Sequence, residues 1–226
     1  FHTETGGRWN DVWDTPLLGT YKSDDPEVIK QHAEWIANAG VDFITIDWSN
    51  NVKNLPELTP RPDLQSIEDS TVALLEQYLL LDRKPKVSIM LGEGGANRYQ
   101  ESIKGGYLTR KADLLYEQIV GNPRYADLIQ YYLGKPLLIV YLGTPTPWQG
   151  GVPSWNDERF TVRYMTGFVT QQSNLLGEDL QSKYGYWSWE DRGAQTYAML
   201  NGHPENMVIT ASYRGINENE DLGRGR

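Results

Sequence analysis

Acidic and aromatic residues recur in this sequence directly after short apolar runs. Each run has the length and composition of a buried strand, so the residue that follows it stands at a strand's carboxyl end. In parallel α/β folds, catalytic and binding side chains come from these ends and from the loops just beyond them. The residues at such positions are Asp47, Trp48, Glu93, Tyr141, Trp187, Trp189, Glu190, Asp191, Tyr213 and Arg214.

The carboxylates of this set suit the cleavage of glycosidic bonds. That reaction commonly uses one carboxylic acid to protonate the leaving oxygen and a second carboxylate as nucleophile or base. The candidate catalytic residues are therefore Asp47, Glu93, Glu190 and Asp191. Helix capping or pinning of a loop is the alternative role for each of them, and we expect at least one of Glu190 and Asp191 to be structural.

The aromatic candidates suit the binding of sugar rings. The chain has 8 Trp and 14 Tyr but only 4 Phe, and Trp and Tyr combine a flat apolar face with a polar edge. The predicted substrate-binding residues are Trp48, Tyr141, Trp187, Trp189, Tyr213 and Arg214. Packing between sheet and helices is the alternative role for Trp187 and Trp189, which alternate along one predicted strand.

Composition argues against several other classes of protein. A formal net charge of −9 disfavours a nucleic-acid partner, because phosphate binding needs clustered Lys and Arg. No stretch approaches the ~20 apolar residues of a membrane-spanning helix. The chain has no Cys, its three His form no ligand cluster, and no Gly-rich phosphate loop or GxSxG elbow is present. We therefore expect a carbohydrate substrate, with no cofactor and no metal.

Helical and apolar segments alternate along the chain. The first predicted helix lies between a cap at Asp24 or Asp25, with Pro26 in its first turn, and a stop at Gly40. Further helices are predicted at 66–81, 111–120, 125–133 and 193–200. Strands are predicted at 41–48, 86–91, 136–141, 160–168, 184–189 and 207–213.

This alternation predicts parallel pairing and an α/β class. A doubly wound sheet shares this pattern with a barrel, and the missing dinucleotide fingerprint weakens only the dinucleotide-binding version of the open sheet. We expect a (β/α)₈ TIM-type barrel, formed by a single domain over residues 1–226. The sequence contains six plausible strands where a closed barrel has eight. We therefore expect an incomplete barrel that further polypeptide, in the same gene product or a companion fragment, closes and supplies with further acids.

The opening segment resembles a known group of enzymes. Residues 16–29 read PLLGTYKSDDPEVI and are followed by His32, Trp35 and the segment Ala39–Phe43. This phrase is similar to the opening of family 99-like and family 71-like glycoside hydrolases, in which a strand ending in Trp follows. Here that strand ends at Trp48.

The resemblance implies a (β/α)₈ barrel that acts on α-linked glycans such as mannans or glucans, is normally secreted and needs no obligatory metal. Residues 140–144, where family 99 enzymes have a Glu, contain no acid, so no catalytic residue is carried over. Two alternatives stay open at this stage. One is a non-catalytic carbohydrate-binding barrel, and the other is a sugar lyase or epimerase that uses Tyr141 or an Arg to move protons.

Overall fold

A computed structural model of the chain describes residues 16–58, 61–92, 99–141, 155–166, 186–188 and 197–207. Its α-helices are α1 (Pro26–Asn38), α2 (Pro62–Tyr78), α3 (Tyr99–Lys104) and α4 (Tyr107–Leu115). A π-helical turn, Tyr116–Val120, continues α4, and two 3₁₀ helices span Asn51–Asn54 and Pro123–Leu128. The strands are β1 (Phe43–Trp48), β2 (Lys86–Gly92), β3 (Tyr131–Tyr132), β4 (Lys135–Tyr141), β5 (Thr161–Thr166), β6 (Tyr186–Ser188), β7 (Tyr197–Leu200) and β8 (His203–Met207).

Helix α1 begins and ends where its sequence signals predict. The Asp25 carboxylate accepts the backbone N–H of Glu27 at 3.0 Å, and Pro26 occupies the first helical position. Gly40, at φ +78°, follows the end of the helix, in a conformation that glycine adopts without steric cost. The prediction of this helix is confirmed.

Helix α2 begins at Pro62, four residues before its predicted start. Proline suits the first helical turn because its missing N–H would have no intrahelical partner there. It also forces the preceding residue out of the helical region, and Arg61 is extended at φ −126° and ψ 105°. The predicted helix at 125–133 is wrong: it is a 3₁₀ helix followed by β3.

Five strands form one parallel sheet in the order β1-β2-β4-β5-β6. Asp47 of β1 is paired with Met90 of β2. Tyr141 of β4 is paired with Gly92 of β2 on one side and with Met165 of β5 on the other. Every parallel strand therefore lies beside the previous one in the chain. Five of the six predicted strands are confirmed within the described residues, where β1 and β6 are the edges of the sheet and no closed barrel is seen.

The two faces of the sheet have different surroundings. Apolar residues of α1, α2, α4 and the π turn pack with one face, which we call the helix face and which includes Ile46, Trp48, Ile89, Leu91, Leu138, Val140, Val162 and Tyr164. The opposite face, called the inner face, includes Thr45, Asp47, Ser88, Met90, Ile139, Tyr141, Arg163 and Trp187. Its apolar cluster is smaller and, within the described residues, contains no residue of a helix.

Two tight hairpins depart from the predicted order of elements. Strands β7 and β8 are antiparallel and joined by Asn201-Gly202, both at positive φ, as the two-residue type I′ turn requires. The predicted helix at 193–200 is therefore wrong over 197–200, which form β7. Of the strand predicted at 207–213, only Met207 is described; it is the last residue of β8, which pairs with β7, and residues 208–213 lie outside the described residues. Leu133-Gly134, also both at positive φ, connects β3 to its antiparallel partner β4.

Within the described residues, no helix has the length and apolar character needed to cross a membrane.

Candidate functional site

Asp47 and Tyr141 mark the carboxyl ends of two strands on the inner face. Asp47 is the penultimate residue of β1, and Tyr141 is the last residue of β4. Because Tyr141 is in register with Gly92, while Asp47 is in register with Met90, the phenol stands one side-chain row further toward the strand ends. The structure thus brings two of the predicted site residues to one face and one end of the sheet.

The Asp47 side chain is exposed, and its own backbone turn fixes its direction. The Oδ1 atom accepts the N–H of Ser49 at 2.7 Å, which closes a local turn immediately after β1. The second carboxylate oxygen takes no part in this bond. Asp47 thus makes the loop-pinning hydrogen bond that was the alternative to a catalytic role, and its catalytic role stays a prediction.

The loop after β1 folds over the end of β2. Ser49 and Asn51 are buried, and a side chain at Gly92 would meet the carbonyl oxygen of Ser49 at 2.7 Å. Only glycine leaves room for this approach. Gly92 is also the last described residue before the predicted catalytic residue Glu93, so the close contact joins the ends of the two strands that carry candidate acids.

The prediction that Trp48 lines a substrate wall is wrong. Successive side chains of a strand point to opposite faces, so Trp48 faces the helices when Asp47 faces inward. Its ring is 2% exposed, its N–H donates to Thr71 Oγ1 at 3.0 Å, and the Lys111 ammonium lies 5.4 Å from the ring centroid. Trp48 is a core residue that joins β1 to α2 and α4.

Trp187 lies on the inner face but, like Trp48, is a buried residue with packing and hydrogen-bond partners. It is 7% exposed, and its indole N–H donates to Glu205 Oε2 at 2.9 Å. Its ring centroid lies 6.1 Å from that of Tyr132. The prediction of an exposed sugar-binding ring at this position is corrected accordingly: the side chain anchors the β7–β8 hairpin to the sheet.

Glu205 is the centre of a buried polar cluster on the inner face. Its Oε1 accepts Arg163 Nη2 at 2.5 Å, Arg163 Nε at 3.0 Å and the Tyr132 hydroxyl at 2.8 Å, in addition to the bond from Trp187 to Oε2. Arg163 also lies over the Tyr132 ring at 5.3 Å. The cluster joins strands that are far apart in the chain.

The donors around Glu205 keep it ionised. Burial alone raises the pKa of this carboxyl, but hydrogen bonds from Arg163, Trp187 and Tyr132 outweigh it and hold the pKa below its ordinary value. Burial and the neighbouring carboxylate raise the pKa of the Tyr132 phenol. A carboxylate so fully satisfied cannot donate a proton near neutral pH, so Glu205 has the character of a structural anchor.

The other predicted site residues, Glu93, Trp189, Glu190, Asp191, Tyr213 and Arg214, lie outside the described residues. Their roles stay predictions. Glu93 directly follows the end of β2, and Trp189 directly follows the end of β6.

The part of the chain that the structure describes contains no group of three or more His, Asp or Glu arranged to hold a metal ion. His32 packs edge-on against Tyr21, with ring centroids 5.4 Å apart, and lies 5.8 Å from the Trp35 ring. Burial lowers the pKa of His32. These three residues of the opening phrase thus pack the chain that enters α1 against the helix itself.

Sequence reasoning missed Arg163, Glu205 and Tyr132. Arg163 lies within a mostly apolar strand, and its partner Glu205 lies 42 residues further along the chain. The only local signal was Asn201-Gly202, a strong short-range mark of a hairpin, which places Glu205 on a strand rather than in a loop.

Comparison with protein-family models and with curated proteins gave no match. Among solved structures, the chain is similar to two structures of the GH99 endo-alpha-mannosidase from Bacteroides thetaiotaomicron, the second in complex with BIS-TRIS-Propane. Sequence identity is 16% in both cases, and the TM-scores are 0.43 and 0.48. The matches cover 72% and 77% of this chain and 43% and 49% of theirs, so the chain spans less than half the length of the structures it matches.

Proposed function

We propose that this chain forms part of a (β/α)₈-type barrel that hydrolyses glycosidic bonds in a poly- or oligosaccharide. The observation that carries the proposal is the combination of a singly wound parallel sheet with a held carboxylate, Asp47, at the carboxyl end of its inner face.

The winding of the sheet favours a barrel. A doubly wound sheet reverses its strand order at a switch point and has helices on both faces. In this chain the first strand lies at an edge, each later parallel strand is added on the same side, and the described helices pack on one face only. Continued winding in one sense is how parallel strands close into a barrel around an inner face.

The residues at the carboxyl end suit sugar chemistry. Asp47 offers a carboxylate, and Tyr141, half-buried beside Met90 and Ile139, offers a phenol with an apolar face. Glycosidic hydrolysis needs a second carboxylate within about 5–10 Å of the first. We propose Glu93, Glu190 and Asp191 for that role, since they follow the ends of β2 and β6.

The proposed substrates are α-linked glycans such as mannans or glucans. This choice rests on the opening phrase, Pro16–Phe43, and its similarity to family 99-like and family 71-like enzymes. The phrase folds as the lead into α1, α1 itself and the start of β1, the strand that carries Asp47.

The test is an assay of the full chain against α-mannans, α-glucans and, as controls, β-linked glucans. We expect reducing ends to be released from an α-linked polymer. Glycan binding without release would overturn the hydrolase in favour of a carbohydrate-binding barrel. Products that absorb in the ultraviolet would instead indicate a lyase, because elimination leaves an unsaturated sugar.

A further inference from the structure

A buried charged group lies behind the proposed site and takes no part in its chemistry. Lys111, on α4, is 2% exposed and is ion-paired with Glu68 Oε1, on α2, whose side chain is 14% exposed. Burying a charge costs several kcal/mol, and a buried ion pair is often no more stabilising than apolar residues of similar size. Stability alone therefore does not explain why this pair is buried here.

The ion pair is connected to the loop that follows β1. Asn51, which is completely buried, donates from Nδ2 to Glu68 Oε1 at 2.9 Å and to the Leu64 carbonyl at 3.4 Å. Lys111 also lies against the ring of Trp48, the last residue of β1. The same two helices thus hold both ends of the short segment from Trp48 to Asn51.

That segment controls the direction of the Asp47 carboxylate. Ser49, whose N–H donates to Asp47, lies against the end of β2 at Gly92 and two residues before Asn51, which is bonded to α2. A shift of Ser49 moves the donor that orients Asp47. Displacements of about 1 Å at such a group reduce turnover by as much as about 100-fold.

We propose that the Glu68 side chain, buried against Lys111, is a positioning group: its Oε1 accepts from Asn51, which fixes the loop after β1 and so orients Asp47. The proposal rests on the proposed function for its catalytic consequence, but not for its structural one. Glu68 touches no substrate; it acts through Asn51 and Ser49.

Two double variants separate positioning from stability. E68L/K111M replaces the pair with apolar residues and removes the acceptor for Asn51. E68Q/K111M also removes both charges, but the Gln carbonyl oxygen still accepts from Asn51. N51A removes the hydrogen bond between Asn51 and Glu68 while leaving the ion pair in place. It replaces E68L/K111M in the comparison if that variant does not fold. The control R110Q breaks the exposed Arg110–Glu57 bridge, which joins the same helix to the end of the same loop.

Amide hydrogen exchange and steady-state kinetics are the two measurements. We expect exchange at residues 49–54 to be at least about 10-fold faster in E68L/K111M and N51A than in the wild type, E68Q/K111M and R110Q, with β2 unchanged. On an α-glycan substrate, kcat should fall about 10- to 100-fold in E68L/K111M and N51A, while KM changes by less than about threefold.

Equal exchange in E68L/K111M, N51A and E68Q/K111M would overturn the proposal. Faster exchange at 49–54 without a loss of kcat would also overturn it, because the loop would then not orient a catalytic group. If the wild type hydrolyses no glycan, the proposed function fails, and the exchange comparison still decides whether the Glu68 acceptor positions the loop.

Discussion

Gly92, at the end of β2, lies directly against Ser49, in the loop that leaves β1. The position that a Cβ would take on Gly92 is 2.7 Å from the Ser49 carbonyl oxygen and 2.9 Å from the Ser49 Cβ. Because one of these atoms belongs to the backbone, a larger residue cannot be accommodated by rotation of a side chain. The two strand ends are therefore held closer together than any residue but glycine permits.

We expect Gly92→Ala to lower the free energy of unfolding by about 1–3 kcal/mol, the usual cost of forcing a methyl group into a packed site. Urea unfolding measures this loss. Hydrogen exchange at residues 49–54 should rise in the same variant, because Ser49 must move away. A variant as stable as the wild type, with unchanged exchange in this loop, would contradict the described contact.

The second prediction concerns the hydrogen bond between Trp48 and Thr71. Both side chains are buried, and the Thr71 hydroxyl accepts the indole N–H. Thr71→Val keeps the shape but leaves this N–H without an acceptor, so we expect a loss of about 1–3 kcal/mol in urea unfolding. Ser66→Ala, on the same helix, is the control and should change stability by less than about 0.5 kcal/mol. Equal effects would show that Trp48 does not depend on this partner.

The third prediction concerns the ion pair of Glu205 and Arg163. The side chains are 2% and 9% exposed, so removing one charge leaves the other uncompensated. We expect Glu205→Gln to cost about 3–5 kcal/mol at pH 7. Glu76→Gln, which breaks the exposed pair with Arg124, should cost far less. Similar losses in the two variants would place Glu205 in a solvated setting, against the described cluster.

The same carboxyl group gives a prediction for pH. Its pKa is lower in the folded chain than the ordinary value of about 4.3 for an unfolded chain. Its contribution to stability is therefore complete above about pH 5 and is lost as the pH falls through the folded pKa. The difference in unfolding free energy between the wild type and Glu205→Gln should narrow from about pH 5 to about pH 3 in urea titrations. A difference that stays constant over this range would contradict the lowered pKa.

Local signals in the sequence predicted the elements that local interactions determine. Asp25, Pro26 and Gly40 set the limits of α1 without help from the rest of the chain, and the apolar runs indicated the five parallel strands. The β7–β8 hairpin had an equally local signal, Asn201-Gly202, although a helix was predicted just before it. The parallel pairing of the sheet follows from the alternation of helices and strands, but its strand order does not.

The composition of the site could be predicted only in part. Alternation along β1 required that Asp47 and Trp48 point to opposite faces, but not which of them faces the helices. That choice depends on α2 and α4, because Thr71 of α2 accepts the Trp48 N–H and Lys111 of α4 lies over the Trp48 ring. The Glu205 cluster depends on contacts such as the one with Arg163, 42 residues away, which no periodicity in the sequence encodes.

The most direct test of the account compares two aspartates at opposite ends of one strand. Asp47 stands at the carboxyl end of β1, and Asp42, also exposed, immediately precedes its amino end. Substitution by Asn keeps the shape at either position, and the amide oxygen introduced in Asp47→Asn can still accept the Ser49 N–H, but an amide cannot exchange a proton. In an assay of reducing ends released from α-linked glycans, we predict that Asp47→Asn lowers turnover by about 100-fold or more, with unchanged urea unfolding, while Asp42→Asn retains wild-type turnover. Undiminished turnover in Asp47→Asn would contradict the central claim that this strand end carries the chemistry.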